Sequence, residues 1–208
     1  MTASIMRRVA LAGLFIVASA ASASAHHPMG GEVPATFVQG LLSGFGHPVI
    51  GLDHFAAIVG VGLLAGVARR GVITVTAFSA AVILGVVVHL AGVGLPGGEF
   101  LVGLTTLLIG VLVIVRPGMP PALVAVLFAV AGFVHGHALG ESVVGAEPTP
   151  IVAYLIGLFF VQTAIGAATC QVALRLFARQ KPGFGLSMAG GTVALVGGIA
   201  ATMTGLAA

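Results

Sequence analysis

GVITVTAFSAAVILGVVVHL, residues Gly71 to Leu90, runs for twenty residues without an Asp, Glu, Lys or Arg. At about 1.5 Å of rise per residue such a run covers about 30 Å as a helix, the thickness of the hydrocarbon layer of a bilayer. Arg69 and Arg70 precede it, and Gly92 to Gly98 with Pro96 follow it. Charge, glycine and proline therefore bound the run on both sides, as they do at helix ends.

The same alternation of apolar block and breaker continues in both directions. It predicts spans at 49–68, 71–90, 99–115, 121–141, 150–174 and 184–205, divided by Arg69-Arg70-Gly71, by Pro96, by Arg116-Pro117-Gly118 with Pro120 and Pro121, by Glu147 to Pro150, and by Arg179 to Gly183. The chain of 208 residues is 59% hydrophobic and only 6% charged, far below the charge of a soluble domain. The expected fold is all-α, a polytopic membrane bundle of about six transmembrane helices. Val33 to Gly46 is apolar but interrupted by Gly40, Gly44 and Gly46. It reads either as an interfacial or re-entrant helix leading into the first span, or as part of one long, kinked first helix. Small residues allow helices to approach closely in lipid, and Gly132, Gly136 and Gly140 are placed to do so beside polar residues.

The first 25 residues have the form of a cleavable signal peptide. Arg7 and Arg8 open it, Val9 to Ala18 is its apolar core, and Ala23-Ser24-Ala25 is a small-residue cleavage triplet. Residues 1–25 are then removed, and 26–208 form the membrane domain, starting at His26 on the outer side. The remaining basic residues, Arg69, Arg70, Arg116, Arg175, Arg179 and Lys181, all fall on loops that this topology sends to the cytoplasm. Six spans return the C-terminus to the outside. The expected location is the bacterial inner membrane with both mature termini outside the cytoplasm. No basic patch suits nucleic acid. The single cysteine, Cys170, sits in an apolar stretch and reads as a small hydrophobe.

Ionisable residues within such helices are costly and point to function. Here they cluster: His47, Asp53 and His54 at the start of the first span, His89 at the end of the second, and His135, His137 and Glu141 at the end of the fourth. The topology brings all of them to the outer half. His137 and Glu141, four apart, share a helix face, whereas His135 points elsewhere unless the helix is distorted. Asp53 and His54 differ by about 100° on a regular helix, so one suits a ligand role while the other orients it or lines the path. Imidazoles with one or two carboxylates suit a borderline divalent ion such as nickel, cobalt, zinc or iron, and a carboxylate can also act behind a liganding histidine. Capping competes for His47 and ordinary packing for His89. After cleavage, His26 with its free α-amine and His27 beside it form a further candidate metal catch outside.

Two runs, His47-Pro48-Val49-Ile50-Gly51-Leu52-Asp53-His54 and His135-Gly136-His137-Ala138-Leu139-Gly140-Glu141, resemble the HupE/UreJ family of nickel permeases. The resemblance implies that the first run recognises the metal and that Glu141 in the second acts as a ligand or a gate. It implies nickel as the transported ion, cobalt next, and an indirect link to hydrogenase or urease metal supply. Phe55-Ala56-Ala57-Ile58 departs from the bulkier residues, often with a methionine, expected after His54; this bears on the metal rather than on the class. The function expected is a secondary permease, not an enzyme, with no resident cofactor and no Walker-type phosphate loop. Its partners are the lipid bilayer and a divalent metal ion. A membrane metalloenzyme and a non-transporting metal-binding accessory protein are the competing classes.

Overall fold

The computed structural model describes residues 32–68, 71–115, 118–177 and 184–206. The expected signal peptide, residues 1–25, together with His26, His27 and most of the basic loops, lies outside these residues. What is described is an all-α, multi-spanning bundle: α1 (Phe37–Ile50), α2 (Leu52–Val67), α3 (Val72–Leu90), α4 (Gly98–Val115), α5 (Pro121–Leu139), α6 (Pro148–Phe177) and α7 (Phe184–Leu206). A 3-10 turn, Gly140–Val143, continues α5. Among the described residues, five helices or helix units are long and apolar enough to cross a membrane, and the bent pair α1 and α2 makes a sixth if it counts as one span.

A separate helix leads into the first span, as the re-entrant or kinked reading of Val33 to Gly46 expected, and α2 begins three residues later than the expected span over 49–68. Thr36 starts α1 with a capping box: its hydroxyl accepts the Gln39 N–H, and Gln39 Oε1 accepts the Thr36 N–H. The helix then runs through the Gly40, Gly44 and Gly46 positions and ends at Ile50. Pro48, which has no N–H to give the helix, lies in its last turn. Gly51 takes an extended backbone, ψ 103°, and α2 leaves at 79° to α1. The break therefore falls inside the first motif rather than before it.

Glycines explain why α1 can lie so close to α6. A Cβ on Gly40 would collide with the backbone of Pro150, and one on Gly44 with that of Tyr154 and Leu158. Further along α6, Gly62 and Gly66 of α2 meet Gly166 and Cys170 in the same way. The broken pair thus runs along α6, α1 on its early turns and α2 on its later ones. A second seam joins α3 to α5, where Gly85 meets Phe133 O, Gly132 meets Phe78 O and Gly136 meets Val82 O. A third joins α4 to α7 through Gly103, Gly110 and Gly197. Backbones in contact maximise dispersion where lipid offers no hydrophobic drive. Cys170 is fully buried on α6, as a small apolar residue would be. Ile73, Val126, Phe160 and Leu195 point outward, as lipid-facing residues do.

These seams set the ends of the helices. The starts of α2, α4 and α6 and the ends of α3 and α5 share one end of the bundle, and the histidines collect there.

Gly136→Ala is expected to lower the thermal stability of the detergent-solubilised protein by about 1–3 kcal/mol, because the new methyl meets the Val82 carbonyl and α3 cannot yield freely. Gly191→Ala, where nothing lies within 4 Å of the added Cβ, is expected to stay within about 0.5 kcal/mol of the parent. Thermal unfolding followed by fluorescence of a thiol dye on Cys170 measures both.

Candidate metal centre

Gly51 positions the first ligand candidate. A Cβ there would lie 2.8 Å from His54 Cδ2 and 3.4 Å from Asp53 Oδ1, so only glycine lets the imidazole pass across the helix break. Asp53, in the first turn of α2, turns Oδ1 back to accept the backbone N–H of His54 at 2.8 Å. The carboxylate thereby fixes the turn that carries the ring. His54 points its ring across to α5.

There it meets His135, with the two Nδ1 atoms 2.8 Å apart and both residues buried. The far side of His135 settles its tautomer. Its Nε2 lies 3.2 Å from Thr105 Oγ1 and 3.4 Å from Thr106 Oγ1. Both hydroxyls have backbone carbonyls for their own protons: Thr105 donates to Leu101 O at 2.8 Å, and Thr106 to Val102 O at 2.9 Å. The threonine oxygens are left as acceptors, so His135 Nε2 carries the proton and Nδ1 the lone pair.

His137, two residues on, repeats the arrangement with another partner. Its Nε2 donates to Val93 O at 2.7 Å, which again leaves Nδ1 as the lone-pair atom. That atom faces His89 Nδ1 at 3.3 Å, with the rings edge to face. His89 Nε2 lies 3.2 Å from Glu141 Oε2, and the Glu141 side chain is 72% exposed. His89 and His137 therefore stand beside an exposed carboxylate, whereas His54 and His135 are enclosed. His135 and His137 face different helices on a regular α5. His137 and Glu141 reach the same neighbour, His89, as their spacing predicts.

His47 closes the enclosed end. Its Nδ1 lies 3.1 Å from Tyr154 OH and 3.2 Å from Ser142 Oγ, and Tyr154 OH in turn donates to Leu139 O at 2.7 Å. The His47 ring stands edge to face with His54, centroids 6.0 Å apart. A capping reading of His47 misses this: it is tied into a hydrogen-bonded group joining α1, the 3-10 turn and α6.

Two donors at about 2.1 Å from one ion, subtending 90–110°, are about 3.0–3.4 Å apart. The two Nδ1 pairs and the His89–Glu141 contact are close to that spacing. Among the described residues, no three His, Cys, Asp or Glu side chains form a group that could hold a metal ion. The arrangement is two histidine pairs, each with one imidazole locked as an Nδ1 donor by an acceptor behind it. Such outer hydrogen bonds orient ligands and raise their basicity. His26 and His27 lie outside the described residues.

Thr105, Thr106, Ser142, Tyr154 and the Val93 carbonyl were not among the residues singled out from the sequence. The adjacent threonines in the otherwise apolar third span were a visible signal. The carbonyl left no trace in side-chain identity.

A family model described as "HupE / UreJ protein" matches residues 14–200. The chain is similar to "Protein HupE" of Rhizobium leguminosarum bv. viciae, with 27% identity over 171 residues, 76% of this chain and 83% of that protein. No solved structure matches.

Replacing both hydroxyls behind His135, as Thr105→Val with Thr106→Val, removes the acceptors that hold its Nε2–H. The expected outcome is Ni²⁺ binding weakened by about tenfold or more in the purified protein, with thermal stability little changed. Titration calorimetry reads the affinity; an unchanged value would show that the tautomer lock does not matter to the ion.

Proposed function

The chain belongs to the HupE/UreJ family, and from that premise we propose that it is a secondary permease moving a divalent transition-metal ion from the periplasm to the cytoplasm, nickel first and cobalt next. The observation that carries this reading is the pair of facing Nδ1 contacts, His54–His135 and His89–His137, at one end of a membrane bundle. Imidazole with carboxylate is a donor set for borderline divalent ions, and the region offers no thiolate that would select copper(I).

In this reading the ion meets Glu141, His89 and His137 first, because Glu141 is exposed. It then passes to His54 and His135, where a shift of the His54 proton makes room for it. His54 moves its proton from Nδ1 to Nε2 when the ion takes the shared position, while His135 keeps its Nε2–H on the threonines. Asp53 positions His54 and adds negative charge near the enclosed pair. Donor pairs hold an ion more weakly than a closed cage, and weak sites permit release. The inward membrane potential supplies the driving force for a cation.

The same reading places residues 1–25 as a removed signal peptide, the histidine end of the bundle toward the periplasm, and both mature termini outside the cytoplasm. The charge map supports this orientation, since Arg69, Arg70, Arg116, Arg179 and Lys181 fall on the opposite loops and Arg175 in the last turn of α6 beside them. His26 and His27 would then catch ions at the entrance. The family name suggests a link to cytoplasmic nickel enzymes of the hydrogenase or urease kind.

Radioactive nickel and cobalt uptake into proteoliposomes containing only this protein tests the proposal. Wild type is expected to take up metal with no partner present, and Asp53→Asn and His54→Ala are expected to lose about tenfold or more of the rate. Wild-type protein that binds nickel but never moves it would contradict the permease reading and favour an accessory role. Replacing His26 and His27 together is expected to slow uptake at limiting metal and to leave it unchanged at saturating metal; equal rates at limiting metal would remove them from the route.

A further inference from the structure

The buried stripe of α6 reads Tyr154, Leu158, Gln162, Gly166, Cys170 at intervals of four residues. All are apolar or small except the first and the third. Tyr154 is accounted for by its bonds to Leu139 O, Ser142 and His47. Gln162 is not: it is 1% exposed, and its Oε1 has no hydrogen-bond partner among the described residues. A buried amide oxygen without a partner is destabilising, and the hydrocarbon around the bundle supplies no water to relieve it. Leucine would fill the same space without that cost.

The position of Gln162 in the bundle gives the amide a use. Leu158, one turn before it, lies against Gly44 of α1, and Gly166, one turn after it, lies against Gly62 of α2 and Val75 of α3. Gln162 therefore sits at the level between the two halves of the broken span. It lies eight residues, about 12 Å, further along α6 than Tyr154, which holds His47. Broken helices in membranes are tolerated where they line a polar route.

We infer that Gln162 is a second, deeper station on the ion's route, its Oε1 taking a divalent cation that still carries water after that cation leaves the histidine pairs. This rests on the permease reading above. The chemistry differs from the first stations in a way that suits onward movement. A neutral carbonyl oxygen binds a hydrated divalent ion directly or through its water, without the charge or imidazole that would hold it. The amide is thus satisfied in transit by the ion and its water.

The test uses the full chain in proteoliposomes with Ni²⁺ as the probe. Gln162→Leu is expected to match or exceed wild type in thermal stability, to bind Ni²⁺ within about twofold of wild type, and to transport it about tenfold more slowly, because the ion then crosses the deeper barrier without an oxygen to receive it. Gln162→Glu, which keeps an oxygen at that place, is expected to transport faster than Gln162→Leu. Gln162→Met replaces Gln162→Leu if the latter does not fold. Uptake by the apolar variant within about twofold of wild type would overturn the inference while leaving the permease reading intact. So would a parallel fall in stability and uptake that Gln162→Glu does not relieve, since that pattern marks a packing role. Absence of uptake by wild type would overturn both.

Discussion

Two imidazole nitrogens stand 2.8 Å apart between His54 and His135, inside a protein whose surroundings are oil. Nitrogens approach so closely only with one proton or one cation between them, because two lone pairs would repel. The neighbouring groups at this end of the bundle serve that contact and its twin. The threonines behind His135 decide which of its nitrogens is the lone-pair atom, and the Val93 carbonyl decides the same for His137. The cost of placing polar groups in a membrane is met by letting them satisfy one another in pairs.

The fold is arranged to bring these pairs about. His54 reaches α5 because the first span breaks at Gly51 and redirects α2 by 79°. A continuous helix would carry His47 and His54 along one axis and could not place one against Tyr154 and the other against His135. α5 presents two histidines to two different helices because Gly136 between them lets α3 pack onto its backbone. Gly140, three residues beyond His137, has the His89 ring as its neighbour. The glycines thus decide which helices meet, and the histidines occupy the places where backbones are closest.

Much of this was legible in the sequence, and the exceptions have physical causes. Apolar runs with charged or proline-bearing ends located α3, α4, α5, α6 and α7 to within about three residues, because bilayer thickness fixes span length. The broken entry to the first span was expected, but its exact break at Gly51 was not, because hydropathy continues through Pro48 and Gly51; hydropathy registers burial, whereas a bend depends on which backbone hydrogen bonds close. Residue type and shared helix end found the histidines. Spacing alone could not show that they form two pairs, since pairing is set by interhelix seams. Thr105, Thr106 and Gln162 are polar residues in apolar spans and were visible in principle. The carboxylates drew attention first because their cost in lipid is greater.

Whether the facing histidines take the ion through nitrogen is tested most directly by X-ray absorption at the nickel K-edge of the loaded, purified protein. At least two imidazole nitrogens at about 2.1 Å are expected, with the characteristic outer-shell scattering of the rings, and their loss in His54→Ala combined with His137→Ala. A first shell made only of oxygen, unchanged by that double replacement, would contradict a histidine route.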